Sequence, residues 1–576
     1  TVTFDATTGT QTLNSGANNF YNLTHSGAGT LQLLTNTLTV TGAFINSAGT
    51  FNANLLTNTV TGLATVNGGT YLASTATQTF NGGLTISGGI FTGSSGAVDV
   101  NGILALSSGT LTAPSGTFTV SGNWNKTGGT WTPGTYTVVF DGTSGTQTIN
   151  SGASNFYNIT INNTGTSVQL VTNNLTQTAG GVLAFTRGTL DLNSLTLSLG
   201  ANFTPAPTVA AILNINGGIL SGASYNLTLS DADMTITHTS GTITVLDYSQ
   251  TLGTHTLAGI LNTRDFSHTA GTFTCSSPAA INASGNAVIT SAWINTGSTI
   301  TMSGASKSIN ASVAINNLSI ANGASVTISA NNDLSVSGTL TVGGGTSGTF
   351  DTNSKNLTVS GTTTVAVSAS LTVRGLSTFN ANTINNSGAM YLNGLLGAVT
   401  VSLDNGTTLT NSSPVQITDA TNLVTIQADA GVTASFSGTD IDYNGKAITL
   451  SRLTYNPAVL LGAGESITLG GNCTFASTIT LNGIGAGLTT GAYTLTAQGA
   501  ITNTLGTITI SSGGTISAGA NSFTNSSTTV SSGSLSCGDF TSSGTYTNSG
   551  VNTITSSGLV AISGIFATHA NNTLYM

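Results

Sequence analysis

Charge is the scarcest property of this sequence. Charged residues make up 4% of the 576 residues, with 8 Lys+Arg against 17 Asp+Glu and a formal net charge of −9. Eight cations cannot neutralise a run of nucleic-acid phosphates, so the composition excludes a basic nucleic-acid-binding protein. Glu, Lys and Arg, which support helices, are nearly absent, whereas Thr, Ser, Asn and Gly are abundant. We therefore expect no helical domain.

Long apolar runs and clustered cysteines are missing as well. No run approaches the ~18 apolar residues that a membrane-spanning helix needs, so we expect no membrane span. The three cysteines, Cys275, Cys473 and Cys537, lie far apart in the sequence. Neither a zinc motif nor a disulfide framework is predicted, and buried thiols are the expectation.

The chain nevertheless contains enough apolar residues to fold. Hydrophobic residues are 38% of the total, and glycine occurs 74 times. The mean hydropathy is +0.24. Because disordered chains combine low hydrophobicity with high charge, this composition indicates an ordered protein.

A repeat with a spacing of twenty residues runs through the first part of the chain. Two glycine columns and two apolar columns recur over five periods without an insertion. The glycines are Gly42, Gly62, Gly82, Gly102 and Gly122, then Gly49, Gly69, Gly89, Gly109 and Gly129. The apolar residues are Val40, Val60, Phe80, Val100 and Val120, then Phe51, Tyr71, Phe91, Leu111 and Trp131. Alternation such as Thr39-Val40-Thr41 is typical of a strand with one buried face.

These columns predict an all-β fold, a β-solenoid (β-helix) with coils of about 20 residues. A unit this short cannot bury its own apolar face, but stacked units make a continuous core. Glycine at fixed positions predicts bends where a Cβ would obstruct the backbone. After residue 200 the register loosens. The alternatives there are irregular solenoid coils and a β-sandwich-like region.

A longer repeat suggests module boundaries. Thr3-Phe4-Asp5 matches Val139-Phe140-Asp141, and Asn19-Phe20-Tyr21-Asn22 matches Asn155-Phe156-Tyr157-Asn158, an offset of 136 residues. Thr204-Pro205-Ala206-Pro207 is the best candidate break, because proline cannot donate to a central strand ladder. We predict a first solenoid module at 1–136, a second partial copy at 137–203, a looser β-repeat region at 204–335 and a C-terminal β-repeat region at 336–576.

Several phrases of the sequence resemble bacterial secreted β-strand-repeat surface proteins. They are Ser121-Gly122-Asn123-Trp124, Trp131-Thr132-Pro133-Gly134, Val139-Phe140-Asp141-Gly142, Thr146-Gln147-Thr148-Ile149 and Phe156-Tyr157-Asn158-Ile159. The resemblance covers residues 1–200, and the remainder only in composition. It implies an extracellular surface or fibre protein, related in style to adhesin and autotransporter-passenger solenoids. It transfers no catalytic residues.

One segment carries a candidate metal site. Asp440-Ile441-Asp442-Tyr443-Asn444-Gly445 matches the first half of a calcium-binding loop, with oxygen ligands at Asp440, Asp442 and Asn444. The twelfth position is Ser451 rather than the bidentate Glu, so the match is incomplete. The alternatives are a structural Ca²⁺ site and an ordinary Asn-Gly turn, and the sequence favours the turn. No other cofactor is predicted.

We predict no catalytic site. Solenoid enzymes that act on pectins need clustered carboxylates, often with Ca²⁺ or a basic residue. In this chain the cations are scattered singly. The two close carboxylate pairs, Asp231/Asp233 and Asp440/Asp442, are expected to be solvated turn residues.

The sequence therefore favours an extracellular structural protein. We expect a β-solenoid subunit that assembles head-to-tail with copies of itself into a filament, sheath or surface layer. Few Lys and Arg also leave little for trypsin-like proteases to cut. The alternative is a monomeric adhesin stalk or a glycan-binding cell-surface protein, which exposed aromatic rings would favour.

Overall fold

The structure is a computed structural model that describes residues 1–345, 347–404, 406–419 and 421–575. None of the residues in these ranges is helical. Strands account for 53% of the chain, and they form parallel sheets in which neighbouring strands are about 20 residues apart in sequence. The molecule is a β-solenoid of about 28 turns, so the predicted fold class is confirmed.

Contacts divide the chain into two compact units. The first comprises Thr1–Asn282 and Ser291–Thr296, and the second Ala283–Thr290 and Gly297–Met576. Each unit consists of short strands that pair with strands of the preceding and the following coil.

The strands up to residue 276 are Val2–Phe4, Thr10–Leu13, Leu23–His25, Thr30–Leu33, Leu38–Val40, Phe44–Asn46, Thr50–Asn52, Asn58–Val60, Ala64–Val66, Thr70–Leu72, Gln78–Phe80, Leu84–Thr92, Val98–Val100, Leu104–Thr112, Phe118–Val120, Trp124–Lys126, Thr130–Thr132, Thr137–Phe140, Thr146–Asn150, Asn155–Phe156, Asn158–Asn162, Ser167–Leu170, Leu175–Gln177, Leu183–Asp191, Thr196–Ser198, Ala211–Asn214, Ile219–Gly222, Leu227–Leu229, Met234–His238, Thr242–Val245, Asp247–Gln250, Thr254–Leu257, Ile260–Thr263, Asp265–His268 and Thr272–Ser276.

The strands from residue 280 onwards are Ala280–Ala283, Ala287–Ile289, Ile294–Thr296, Thr299–Met302, Lys307–Ala311, Asn317–Ile320, Ser325–Ile328, Leu334–Val336, Leu340–Val342, Gly348–Asp351, Leu357–Val365, Ala369–Arg374, Ser377–Asn386, Ala389–Asn393, Val399–Leu403, Thr408–Asn411, Val415–Asp419, Val424–Ala428, Ala434–Gly438, Ala447–Ser451, Leu453–Tyr455, Val459–Leu461, Ser466–Leu469, Cys473–Phe475, Ile479–Leu481, Gly487–Thr489, Thr494–Ala497, Ile501–Asn503, Thr507–Ile510, Thr515–Ser517, Phe523–Asn525, Thr528–Ser531, Ser534–Cys537, Phe540–Ser542, Thr545–Asn548, Thr553–Ser556, Val560–Ile562, Ile565–Ala567 and Thr573–Tyr575.

The apolar columns of the repeat form the core of the first unit. One column is stacked in register and is fully buried; its members are Val40, Val60, Phe80, Val100, Val120 and Phe140. In the other column, the ring centroid of Tyr71 lies 5.0 Å from those of Phe51 and Phe91. The column continues in register through Leu111 to Trp131. The sequence pattern therefore predicted both the inward face and its register.

The first glycine column marks corners where successive coils nearly touch. A Cβ built on Gly62 would lie 2.4 Å from the carbonyl oxygen of Gly42, and one on Gly122 would lie 2.2 Å from that of Gly102. No side chain fits at such separations, because the obstructing atoms are backbone. The expectation that these glycines permit close backbone approach is confirmed.

A second kind of corner is built around asparagine. Within the described ranges, five turns whose central pair begins with asparagine place both central residues at positive φ, and each is closed by an N–H···O=C bond of 2.7–3.0 Å across the turn. Their central pairs are Asn54-Leu55, Asn193-Ser194, Asn216-Gly217, Asn353-Ser354 and Asn444-Gly445. This is the geometry of a type I′ turn, which asparagine tolerates.

The turn asparagine also ties one coil to the one before it. Nδ2 of Asn54 donates to the carbonyl oxygen of Leu33 at 2.7 Å, and Nδ2 of Asn193 donates to that of Leu170 at 3.1 Å. The backbone N–H of Asn54 donates to Oδ1 of Asn52, and that of Asn193 donates to Oδ1 of Asp191, so each asparagine also closes an Asx turn with the residue two positions before it. The corner therefore satisfies backbone groups that the strand ladder leaves open.

After residue 200 the solenoid continues with coils of unequal length. Val399 pairs with Val424, 25 residues further along the chain, whereas Thr528 pairs with Thr545, only 17 residues on. Of the two alternatives, irregular solenoid coils are confirmed and a β-sandwich-like region is wrong. At Thr204-Pro205-Ala206-Pro207 both prolines are buried outside the strands, and Gly188–Asp191 still pairs with Ala211–Asn214.

We expect Trp124→Ala to destabilise the coils around it locally. The Trp124 ring is fully buried against Trp131 and Phe156, with ring centroids 4.9 and 5.0 Å away. Removing it should cost about 3–5 kcal/mol, because a large cavity remains. Since each coil contacts only its neighbours, hydrogen exchange should accelerate in residues 104–161 and stay unchanged in residues 447–530.

The matched control is Tyr21→Ala, because the Tyr21 side chain is exposed and its removal leaves no cavity. Equal acceleration along the whole chain after Trp124→Ala would contradict this account of local coupling.

Candidate functional site

The three candidate calcium ligands lie at one corner of the second unit, but they face different surroundings. Asp440 is half-buried, whereas Asp442 and Asn444 are exposed. Oδ1 of Asp440 accepts hydrogen bonds from the hydroxyl groups of Tyr455 and Tyr443 and from the N–H of Ile441 at 2.8 Å. Burial raises the pKa of Asp440. This carboxylate is therefore not the solvated turn residue that the sequence suggested.

Asp442 and Asn444 occupy the asparagine corner described above. Asn444 and Gly445 have φ of 50° and 69°, and the N–H of Lys446 donates to the carbonyl oxygen of Tyr443 at 2.9 Å. Asp442 therefore stands where Asn52 and Asp191 stand in the equivalent corners. The half-match to a calcium loop coincides with a recurring structural turn. The calcium site itself stays a prediction.

The other candidate residues take structural positions. Oδ1 of Asp231 accepts the N–H of Asp233 at 2.9 Å, so this carboxylate pair forms an Asx turn. All three cysteine side chains are buried, as the sequence predicted. No group of three or more His, Cys, Asp or Glu side chains that could hold a metal ion occurs within the described ranges.

A polar cluster inside the first unit was not foreseen. The rings of His238 and His255 stack one coil apart, with centroids 6.0 Å apart and planes within 10°. The Tyr248 hydroxyl lies 2.9 Å from Nδ1 of His255 and donates to Oε1 of Gln250 at 3.1 Å. His268 packs nearby, its centroid 5.4 Å from that of Phe273. The strand parity of Met234-Thr235-Ile236-Thr237-His238 could have placed His238 on the inward face.

Burial controls the protonation of this cluster. It lowers the pKa of His238 to about 4 and lowers the pKa of His268 as well. The pKa of His255 falls well below its usual range, through burial first and then through the neighbouring histidines. Tyr248 and Cys275 are the other titratable groups of the cluster, and burial raises the pKa of Tyr248. All three histidines are therefore neutral at pH 7.

The exposed aromatic residues are tyrosines. Among the residues described, the aromatic side chains with the greatest exposure are Tyr21, Tyr136, Tyr493 and Tyr575. Tyr136 lines a groove together with residues 115–117, Thr135, Thr137 and Val139. The sequence pattern placed the aromatic residues mainly in inward columns and did not mark Tyr136 as exposed.

No protein-family model matches the chain, and no curated protein or solved structure matches it either. The class that the fold defines is a β-solenoid repeat protein. The described residues also contain no helix long and apolar enough to span a membrane. Membership of the secreted β-strand-repeat surface proteins stays an interpretation of the sequence motifs.

Acid should destabilise the histidine cluster before the rest of the molecule. The pKa of His238 is about 4 in the folded protein, against an ordinary value of 6.5. An unfolded chain therefore binds more protons between these values, and stability is lost as pH falls from 6.5 towards 4. His238 alone should cost roughly 3 kcal/mol across this interval.

Hydrogen exchange measured between pH 4.5 and 7.5, corrected for its intrinsic pH dependence, checks this expectation. Residues 234–275 should lose protection as pH falls, and His238→Phe should flatten the slope. Residues 447–530 contain no histidine and serve as the internal control. A slope that is the same in both regions, or unchanged in His238→Phe, would contradict the assignment.

Calcium should not stabilise the corner at Asp442. The oxygens of Asp440 already accept hydrogen bonds from the protein, and Asn444 holds the preceding coil through the carbonyl oxygen of Ile417. Titration calorimetry with CaCl₂ on the native chain and on Asp440→Asn should give indistinguishable heats. Saturable binding that disappears in Asp440→Asn would instead establish the calcium site.

Proposed function

We propose that this chain is a non-catalytic structural subunit of an extracellular filament, sheath or surface layer, assembled by head-to-tail addition of β-coils. The observation that carries the proposal is the β-solenoid fold itself, a stack of about 28 coils whose strands pair with strands of neighbouring coils. Because one coil completes the backbone ladder and the core of the next, the same contact could join a coil of one copy to a coil of another.

Electrostatics does not oppose such a contact. Charged residues are only 4% of the chain, so little desolvation of charge would accompany the burial of a coil face. A second copy of the chain is therefore the partner that we propose.

The extracellular and non-catalytic parts of the proposal have separate support. Only eight Lys and Arg residues occur, all between Lys126 and Arg452, and so few cleavage sites suit a protein exposed to trypsin-like proteases. The close carboxylate pair Asp231/Asp233 forms a turn, and Asp440 is bonded to tyrosine hydroxyls. The quoted motifs and the β-solenoid fold favour a surface or fibre protein.

Negative-stain electron microscopy with light scattering tests the assembly. The native chain should form long uniform fibres that persist on dilution. Discrete particles of the native chain at every concentration would overturn the proposal and favour a monomeric adhesin stalk.

A further inference from the structure

A groove beside Tyr136 lies on the surface of the first unit. It has a volume of about 520 Å³ and is lined by residues 115–117, 135–137 and 139. Small-molecule sites in proteins commonly have volumes of about 300–1,000 Å³. The groove is open to solvent along the coil surface, so an extended molecule could pass through it.

The tyrosine ring is fixed in this groove by the preceding turn. The N–H of Tyr136 donates to the carbonyl oxygen of Pro133 at 3.3 Å, and Gly134 between them has a φ of 58°. A Cβ built on Gly134 would lie 2.8 Å from Cε2 of Tyr136, so the ring packs directly against the glycine. Tyr136 is 37% exposed. The ring is therefore a supported platform rather than a free side chain.

The same turn recurs in the second unit. The N–H of Tyr493 donates to the carbonyl oxygen of Thr490 at 3.3 Å, and Gly491 has a φ of 57°. A Cβ on Gly491 would lie 3.4 Å from Cδ2 of Tyr493, which is 40% exposed. Two segments of the chain thus hold an exposed tyrosine in the same arrangement. They are Thr132-Pro133-Gly134-Thr135-Tyr136-Thr137 and Thr489-Thr490-Gly491-Ala492-Tyr493-Thr494.

The chemistry around Tyr136 is neutral and rich in hydroxyl groups. Its lining residues include Ser115, Thr117, Thr135 and Thr137 and no charged residue. Hydroxyl groups both donate and accept hydrogen bonds, and an aromatic face packs well against C–H groups. The carboxylate of Asp141 follows the strand Thr137–Phe140, outside the groove, and it accepts a hydrogen bond from the Ser121 hydroxyl at 2.8 Å. The chain's net charge of −9 also disfavours an acidic ligand.

We propose that the groove beside Tyr136 binds a neutral glycan, with one sugar face stacked on the tyrosine and the sugar hydroxyls bonded to the surrounding Ser and Thr. The Tyr493 corner gives a second and weaker contact, because Ala492 replaces the hydroxyl-bearing Thr135. This binding does not depend on assembly of the chain into a filament.

Affinity electrophoresis with neutral hexasaccharides of glucose and of N-acetylglucosamine tests the site, with polygalacturonate as the charged comparison. At least one neutral sugar should retard the native chain. Tyr136→Ala should weaken that binding about tenfold, Tyr136→Phe should keep most of it, and Tyr493→Ala should weaken it less.

Tyr21→Ala is the matched control, because Tyr21 is 73% exposed and lies outside both turns. Unchanged hydrogen exchange at residues 137–140 in Tyr136→Ala would show that the turn remains folded. If no neutral sugar binds, if only polygalacturonate binds, or if Tyr136→Ala binds like the native chain, the proposal is wrong. Light scattering recorded in each assay separates this result from the outcome for assembly, because Tyr136→Ala should leave the scattering unchanged.

Discussion

Parallel pairing between successive coils is the interaction on which the rest of this structure depends. Each strand is only a few residues long, and its hydrogen-bond partners lie about one coil earlier and one coil later in the sequence. A coil also has no core of its own, because the side chains that cover Tyr71 come from coils on both sides, through Phe51 and Phe91. Backbone and core are therefore completed by the same neighbour.

The corners follow from that constraint. Coils that pair in register come close wherever the chain bends, so Gly62 and Gly122 stand at positions that no Cβ could occupy. Where a backbone carbonyl oxygen has no donor within the strand ladder, the side-chain amide of Asn54 or Asn193 donates a hydrogen bond to it. The same logic explains the corner at Asp442 and Asn444, which also matches half of a calcium loop. Asparagine and glycine are thus abundant for geometric reasons.

The regular part of the solenoid could be predicted because its spacing is constant. Val40, Val60 and Phe80 recur at one interval, and the alternation of polar and apolar residues identifies the buried face. Beyond residue 200 the interval changes from coil to coil, so no fixed period aligns Val399 with Val424 or Thr528 with Thr545. The histidine cluster could not be predicted, because in the sequence a polar residue at an inward position cannot be distinguished from one at an outward position. The exposure of Tyr136 could not be predicted either, because it depends on the conformation of the turn at Gly134.

Distances between spin labels would test the in-register stacking most directly. Thr39 and Thr119 lie four coils apart in one column of paired residues. The residues between them in the column are Thr59, Thr79 and Asp99. In the second unit, Thr449 and Val530 likewise lie four coils apart, with Thr468, Thr489 and Thr509 between them. With coils about 4.8 Å apart, both pairs should give backbone separations of about 19 Å. Broad distributions at much longer distances, for residues 80 or more apart in sequence, would contradict a β-solenoid.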